Sequence, residues 1–168
     1  EKDTKKEFEV FNSFAQQTNN FCWTLDNPES TISLGSTLTK KFPDLSILLL
    51  NGPLGAGKTT LVKGIAKSLR IQEPITSPTF PLSQHYPQGS PPLIHLDLYR
   101  IEEPNAANEF FIQEEEESKA MGALMVIEWP ERLSLPMPDA WKGKLEYSAR
   151  NQSRSFKLMP PVDLVSKP

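Results

Sequence analysis

An α/β domain of three layers, with a mixed, mainly parallel central sheet and a C-terminal hairpin, is predicted by three features of the sequence. The runs "LSILLLN" (45–51) and "ALMVIE" (123–128) are short, apolar and free of charge up to a closing Glu128, the pattern of strands covered on both faces in a parallel sheet. The first run feeds the glycine loop "GPLGAGKT" (52–59) and then an amphipathic segment, giving strand, loop and helix in succession. Near the end, "KLEYSAR" and "RSFKLM" flank "NQS" as the arms of a hairpin.

Taken in order, residues 1–21 mix charges with a few aromatics and read either as a weak helix or as a mobile arm. Asn27 can cap a helix and Pro28 suits its first position. Leu34, Leu38 and Phe42 recur at helical spacing before Pro43, so a helix is predicted from Pro28 to about Lys41. Beyond the glycine loop, Leu61, Val62, Ile65 and Leu69 share one face of a helix from Lys58 to about Leu69. Prolines at 74, 78, 81, 87, 91 and 92 exclude a helix there and predict a loop followed by two short strands joined at "PQGSP". In the second of these, Leu93 to Tyr99, Ile94, Leu96 and Leu98 alternate with His95, Asp97 and Tyr99. A helix follows with Pro104 early and Phe110 and Phe111 as its anchors. Three regions result: an arm over 1–25, a domain over 26–159 and a tail over 160–168.

A chain of 168 residues suits one domain with a real core. No apolar stretch approaches the roughly 18 residues that a membrane-spanning helix needs. A net charge of −3 and a pI near 5.5, with mean hydropathy −0.42, argue against a surface built to neutralise DNA or RNA phosphates. Any nucleic-acid role is therefore expected to be indirect, with no DNA partner. The lone Cys22 forms no internal disulfide, which points to a reduced, cytoplasmic compartment, and it reads as a small apolar residue. The chain opens at Glu1 without Met or an apolar signal segment, as expected of a trimmed chain or a fragment.

Gly52, Gly57, Lys58 and Thr59 fit GxxxxGK[ST], the P-loop, so the fold expected is P-loop NTPase-like. Gly52, Leu54, Gly55, Ala56, Gly57 and Thr60 supply a turn whose backbone N–H groups point inward. The helix N-terminus adds partial positive charge, Lys58 reaches the terminal phosphates and the Thr59 hydroxyl ligates Mg²⁺. Glu128, at the carboxyl end of its strand, falls beside such a loop in doubly wound sheets and can hold the same cation; alternatively it is a solvated strand-end acid. Asp97 is a second carboxylate for orienting the attacking water, or else a structural partner of Arg100. His95 reads as a satisfied, partly buried histidine. Thr76, Ser77 and Thr79 in "TSPTF" could close over a γ-phosphate or simply form a turn. Trp129 is expected to pack or to meet a partner before it does chemistry, and Glu114 to Glu117 to form a solvated helix face.

Together "GPLGAGKTTLVKG", "TSPTF", "HLDLYR" and "IEWPER", in this order over about residues 26–156, resemble the TsaE (older name YjeE) family, small ATPases of bacterial tRNA threonylcarbamoyladenosine synthesis. The resemblance implies a P-loop α/β fold, ATP with Mg²⁺, and an accessory role to TsaB and TsaD, which act on adenosine 37 of ANN-decoding tRNAs. It implies that Lys58 and the loop amides bind phosphates, Thr59 and Glu128 flank Mg²⁺, Asp97 supports hydrolysis, Thr79 belongs to a switch-like loop and Trp129 to the active region. Two departures stand out: Pro53 replaces the Asp usual after the first glycine, and "NAANEFFIQEEEESKA" follows the family's "EELxxLGxxEYL" only loosely. A small-molecule kinase is the alternative, with only Arg100 and Arg132 near the site in sequence to serve a lid. A GTPase is disfavoured by the lack of an [NT]KxD segment after the loop, and a non-hydrolysing nucleotide-binding module would require Asp97 and Glu128 to point elsewhere.

Overall fold

The structure, a computed structural model, describes residues 21–78, 82–148 and 152–161. Its elements are β1 (Phe21–Leu25), α1 (Pro28–Lys41), β2 (Ile47–Asn51), α2 (Lys58–Ser68), β3 (Ser83–Tyr86), β4 (Leu93–Asp97), α3 (Pro104–Met121), β5 (Leu124–Glu128), a 3₁₀ turn (Pro130–Arg132), β6 (Trp141–Tyr147) and β7 (Arg154–Met159). The strands form one sheet in the order β1-β7-β6-β2-β5-β4-β3. Its centre is parallel, with β2 between β5 and β6 and β4 beside β5. Its margins, β3 on one side and β7 with β1 on the other, are antiparallel. This is the mixed, centrally parallel sheet that the apolar runs predict.

Alternation along β2 builds the layers. Leu48 and Leu50 enter a core shared with Leu34 and Leu38 of α1 and Leu61 and Ile65 of α2. Ile47 and Leu49 enter another with Ile94, Leu96, Phe111 and Ile127, beneath α3. A strand with helices on both faces has no polar face, hence the uninterrupted apolar run. The predicted boundaries of α1 hold for local reasons. Asn27 Oδ1 accepts from the Ser30 N–H at 2.8 Å, Pro28 needs no amide partner, and the Phe42 N–H closes the helix on the Leu38 carbonyl at 2.9 Å.

Three expectations change. The arm drawn over 1–25 includes a strand, because Phe21–Leu25 pairs antiparallel with β7; residues 1–20 lie outside the described set, as do 162–168 of the tail. Within that edge strand Cys22, read as a small apolar residue, is exposed. The strand predicted to reach Tyr99 stops at Asp97, where the Asp97 Oδ1 accepts the Tyr99 N–H at 3.0 Å and turns the chain. The C-terminal hairpin is present, with β6 also pairing parallel to β2, so the hairpin is part of the sheet beside the glycine loop.

Candidate functional site

β2, β5 and β4 run parallel and adjacent, so their carboxyl ends lie along one edge, where ligands meet open α/β sheets. In register, Leu50 stands opposite Glu128 and Glu128 opposite Asp97. The sheet order places Glu128 between the glycine loop and Asp97. A cleft of about 280 Å³ at this edge is lined by Leu54, Gly55, Gly57, Lys58, Thr59, Thr60, Ser77, Asp97, Glu128, Trp129 and Arg154, with Pro28 and Thr31 from α1. Every catalytic and metal residue named from the sequence is on that wall. Gly52 and Ala56 underlie the loop instead, Ala56 being 1% exposed, and Thr79 lies outside the described residues.

The loop is shaped to receive an anion. Gly57 stands at the N-cap of α2 with φ 101° and offers no side-chain cap, so the first N–H groups of the helix face the cleft with their dipole behind them. A side chain at that φ would be strained. The Lys58 Nζ donates to the Gly52 carbonyl at 2.6 Å and stands 4.5 Å from the centre of the Trp129 ring, and Lys58 is buried. Two polar atoms beside the loop, Thr31 Oγ1 and Arg154 Nε, are buried without a partner among the described residues. Buried orphans beside an anion cradle fit a ligand that brings its own polar groups.

Trp129 adopts φ 58°, uncommon for a bulky residue. This turns its ring onto Lys58 and onto Tyr99, whose ring centre is 4.7 Å away. It packs, as expected of it, and the packing partner is Lys58 of the glycine loop. Arg132 does not reach the cleft wall: its guanidinium donates to the Tyr99 carbonyl at 3.0 Å. Arg100 lines a smaller adjoining cavity and, among the described residues, forms no ion pair with Asp97.

Asp97 is held by the Tyr99 N–H on Oδ1 and, at 3.4 Å, by the Ser77 hydroxyl on Oδ2. Ser77 is thus the hydroxyl of "TSPTF" that meets the site. Burial raises the Asp97 pKa, the Tyr99 N–H opposes this, and the neighbouring Glu128 adds to the rise. A raised folded value means that this group's stabilisation is complete below the unfolded pKa and is lost as pH rises through the folded one. Asp97→Asn, uncharged throughout, is expected to raise the Tm of the nucleotide-free protein at about pH 7, the gain vanishing by about pH 3, below the unfolded pKa. Calorimetry at both pH values checks it; an equal gain at both would remove burial as the cause.

Two side chains escaped the sequence. His95 is fully buried, and its Nε2 lies 2.6 Å from Glu128 Oε2, while Nδ1 has no partner among the described residues; among them it is half satisfied rather than satisfied. Glu128, 3% exposed, is likewise not a solvated strand-end acid. Arg154 opens β7 and donates to the Gly55 carbonyl at 3.0 Å, 99 residues away in sequence. No local pattern marks it; only the pairing of β6 with β2 brings it to the loop. Within the acidic run Glu116 and Glu117 are exposed, as a solvated face requires, whereas Glu114 accepts from Ser83 at 3.0 Å and sits 2.6 Å from His85, tying α3 to the edge strand.

Comparison with known proteins agrees with this architecture. A family model described as "Threonylcarbamoyl adenosine biosynthesis protein TsaE" matches residues 25–156. The tRNA threonylcarbamoyladenosine biosynthesis protein TsaE of Nostoc sp. is 45% identical over 109 residues, 65% of this chain and 67% of that one. Its namesake from Mycobacterium tuberculosis is 40% identical over 118 residues, 66% and 69% of the two chains. The crystal structure of Bacillus subtilus YdiB superposes with a TM-score of 0.62 at 22% identity, covering 86% of this chain and 88% of that one, a likeness of fold. A match spanning most of the chain, including every segment that builds the cleft, makes this protein a member of the TsaE family.

Proposed function

We propose that this protein is a Mg²⁺-dependent ATPase that acts on a TsaB–TsaD complex, supporting its turnover as threonylcarbamoyladenosine is formed at position 37 of ANN-decoding tRNAs. The observation that carries the reading is the meeting of the glycine loop, Lys58, Asp97 and Glu128 in one cleft. The amides of Gly55 to Thr60 and the Lys58 ammonium bind and orient the phosphates. Trp129 covers Lys58 and excludes water from it. Asp97, whose burial favours the proton, is suited to take one from an attacking water.

Thr59 and Glu128 would hold the metal. Among the described residues no group of three or more His, Cys, Asp or Glu could hold a metal ion; Mg²⁺ in nucleotide sites needs only one or two protein ligands besides phosphate oxygens and water. When bound, it neutralises charge on the terminal phosphates. We place Thr79, next to Ser77 and Pro78, in the segment that closes over the γ-phosphate. The acidity of the chain accords with tRNA held by the partners, and a cytoplasmic location with that task. No helix among the described residues is long and apolar enough to cross a membrane.

ATP hydrolysis measured alone and with purified TsaB, TsaD and tRNA tests the proposal: slow turnover alone, faster with partners, is expected. Equal rates in the two conditions would count against it. A cavity of about 170 Å³ beyond Asp97, lined by Tyr99 and Arg100, favours a small-molecule kinase as the second reading. Labelled γ-phosphate appearing on an added metabolite rather than as free phosphate would establish that one instead.

A further inference from the structure

We infer that His95 is a positioning residue for Glu128: its Nε2–H holds one carboxylate oxygen so that the other is presented to the cation accompanying the nucleotide. This rests on the ATPase reading above and deepens it.

His95 stands opposite Val126 on the neighbouring strand and Asp97 opposite Glu128. Residues two apart on a strand share a face, so the His95 ring reaches Glu128 along the diagonal within that face. It meets Oε2 at 2.6 Å. Both partners are buried, His95 at 0% and Glu128 at 3% exposed. The terminal torsion of a glutamate is broad and roughly two-fold, and a single short bond to one oxygen selects one setting of it. Glu128 also lines the cleft, and the oxygen not held by His95 is the one left for a ligand there.

The unpartnered Nδ1 fixes which way the bond runs. A hydrogen on Nδ1 would be a buried donor with nothing among the described residues to receive it, and orphaned buried N–H groups are rarer and costlier than orphaned acceptors. The surroundings thus favour the tautomer with its hydrogen on Nε2, which donates to the carboxylate. Asp97, on the same face, has separate donors in the Tyr99 N–H and the Ser77 hydroxyl. His95 therefore serves Glu128. Outer partners of this kind contribute roughly 10–100-fold to metal affinity.

ADP titrated calorimetrically into the protein at stepped Mg²⁺ concentrations reads this without turnover. His95→Gln keeps an amide donor near the Nε2 position, His95→Asn places it near Nδ1, and His95→Leu removes it. All three are expected to bind ADP without Mg²⁺ within about threefold of the unmodified protein. The Mg²⁺ concentration that half-maximally tightens binding should rise roughly 10–100-fold in the Asn and Leu variants and stay within about threefold in Gln. An unchanged Mg²⁺ requirement in Asn and Leu overturns the positioning role and leaves the ATPase reading standing. If Mg²⁺ has no effect on ADP binding by the unmodified protein, both fall. Should His95→Leu fail to fold, the comparison of Gln with Asn decides, and equal shifts in those two overturn the inference.

Discussion

Lys58→Ala is expected to weaken ADP binding at least ~100-fold, from a loss of roughly 3 kcal/mol when one partner of a buried, hydrogen-bonded charge pair is truncated. The ammonium is buried, 2.6 Å from the Gly52 carbonyl and against the Trp129 ring, so it is already desolvated and fixed before a phosphate arrives. Little ordering cost remains at binding, which is why its loss should be felt almost in full. Glu128→Gln gives the contrast. It keeps the size of the side chain and a polar partner for His95 but removes the charge proposed to hold the cation. Metal-free ADP affinity should stay within about threefold while Mg²⁺-dependent hydrolysis falls at least ~100-fold. Calorimetry without Mg²⁺ and phosphate release with it separate the two. Comparable losses of metal-free binding in both variants would show that Glu128 belongs to the phosphate cradle and not to the metal.

Gly64→Ala is expected to destabilise the protein by about 3 kcal/mol, lowering Tm by roughly 10 °C. Helix propensity alone predicts the opposite sign, because Ala is favoured over Gly inside a helix by about 1 kcal/mol. Space decides against propensity here. A Cβ at Gly64 of α2 would fall on the Ile32 carbonyl oxygen of α1, and one at Gly35 of α1 would fall on the Leu61 carbonyl oxygen of α2. Both obstacles are backbone, and the Gly64 Cα itself lies 3.0 Å from a Cβ placed at Gly35, so neither helix can yield without the other moving. The same contact sets the cleft, since Thr31 lies on α1 and Lys58 to Thr60 on α2. Weaker ADP binding should therefore accompany the fall in Tm. A thermal scan showing Gly64→Ala as stable as the unmodified protein would remove the close helix crossing as a constraint.

Much of the site was legible because its signals are local. A strand that must be covered on both faces cannot carry a charge until it ends, so "LSILLLN" and "ALMVIE" reveal both their secondary structure and their carboxyl ends. A loop that must aim several amides inward needs glycine, and a helix that starts from it needs no side-chain cap. Asn27 and Pro28 mark the start of α1 through bonds made within one turn. Asp97 could be suspected because a polar side chain on a buried strand must have a partner or a purpose.

What the chain alone could not reveal depends on pairing between distant segments. Phe21–Leu25 has no distinctive pattern and is a strand only because β7 offers it an edge. Trp141–Tyr147 reads as one arm of a hairpin, and its parallel pairing with β2 is what carries Arg154 to the Gly55 carbonyl. Glycines at 35 and 64 look like helix weaknesses until the two backbones are seen to touch. The places of the glycine loop, its lysine and the acid at the end of β5 were determined by the sequence, since each needs only its neighbours along the chain. The burial of Glu128 against His95, the orphaned atoms at Thr31 and Arg154, and the covering of Lys58 by Trp129 were decided by the tertiary structure. Burial and register are properties of the packed sheet, and no window of sequence contains them.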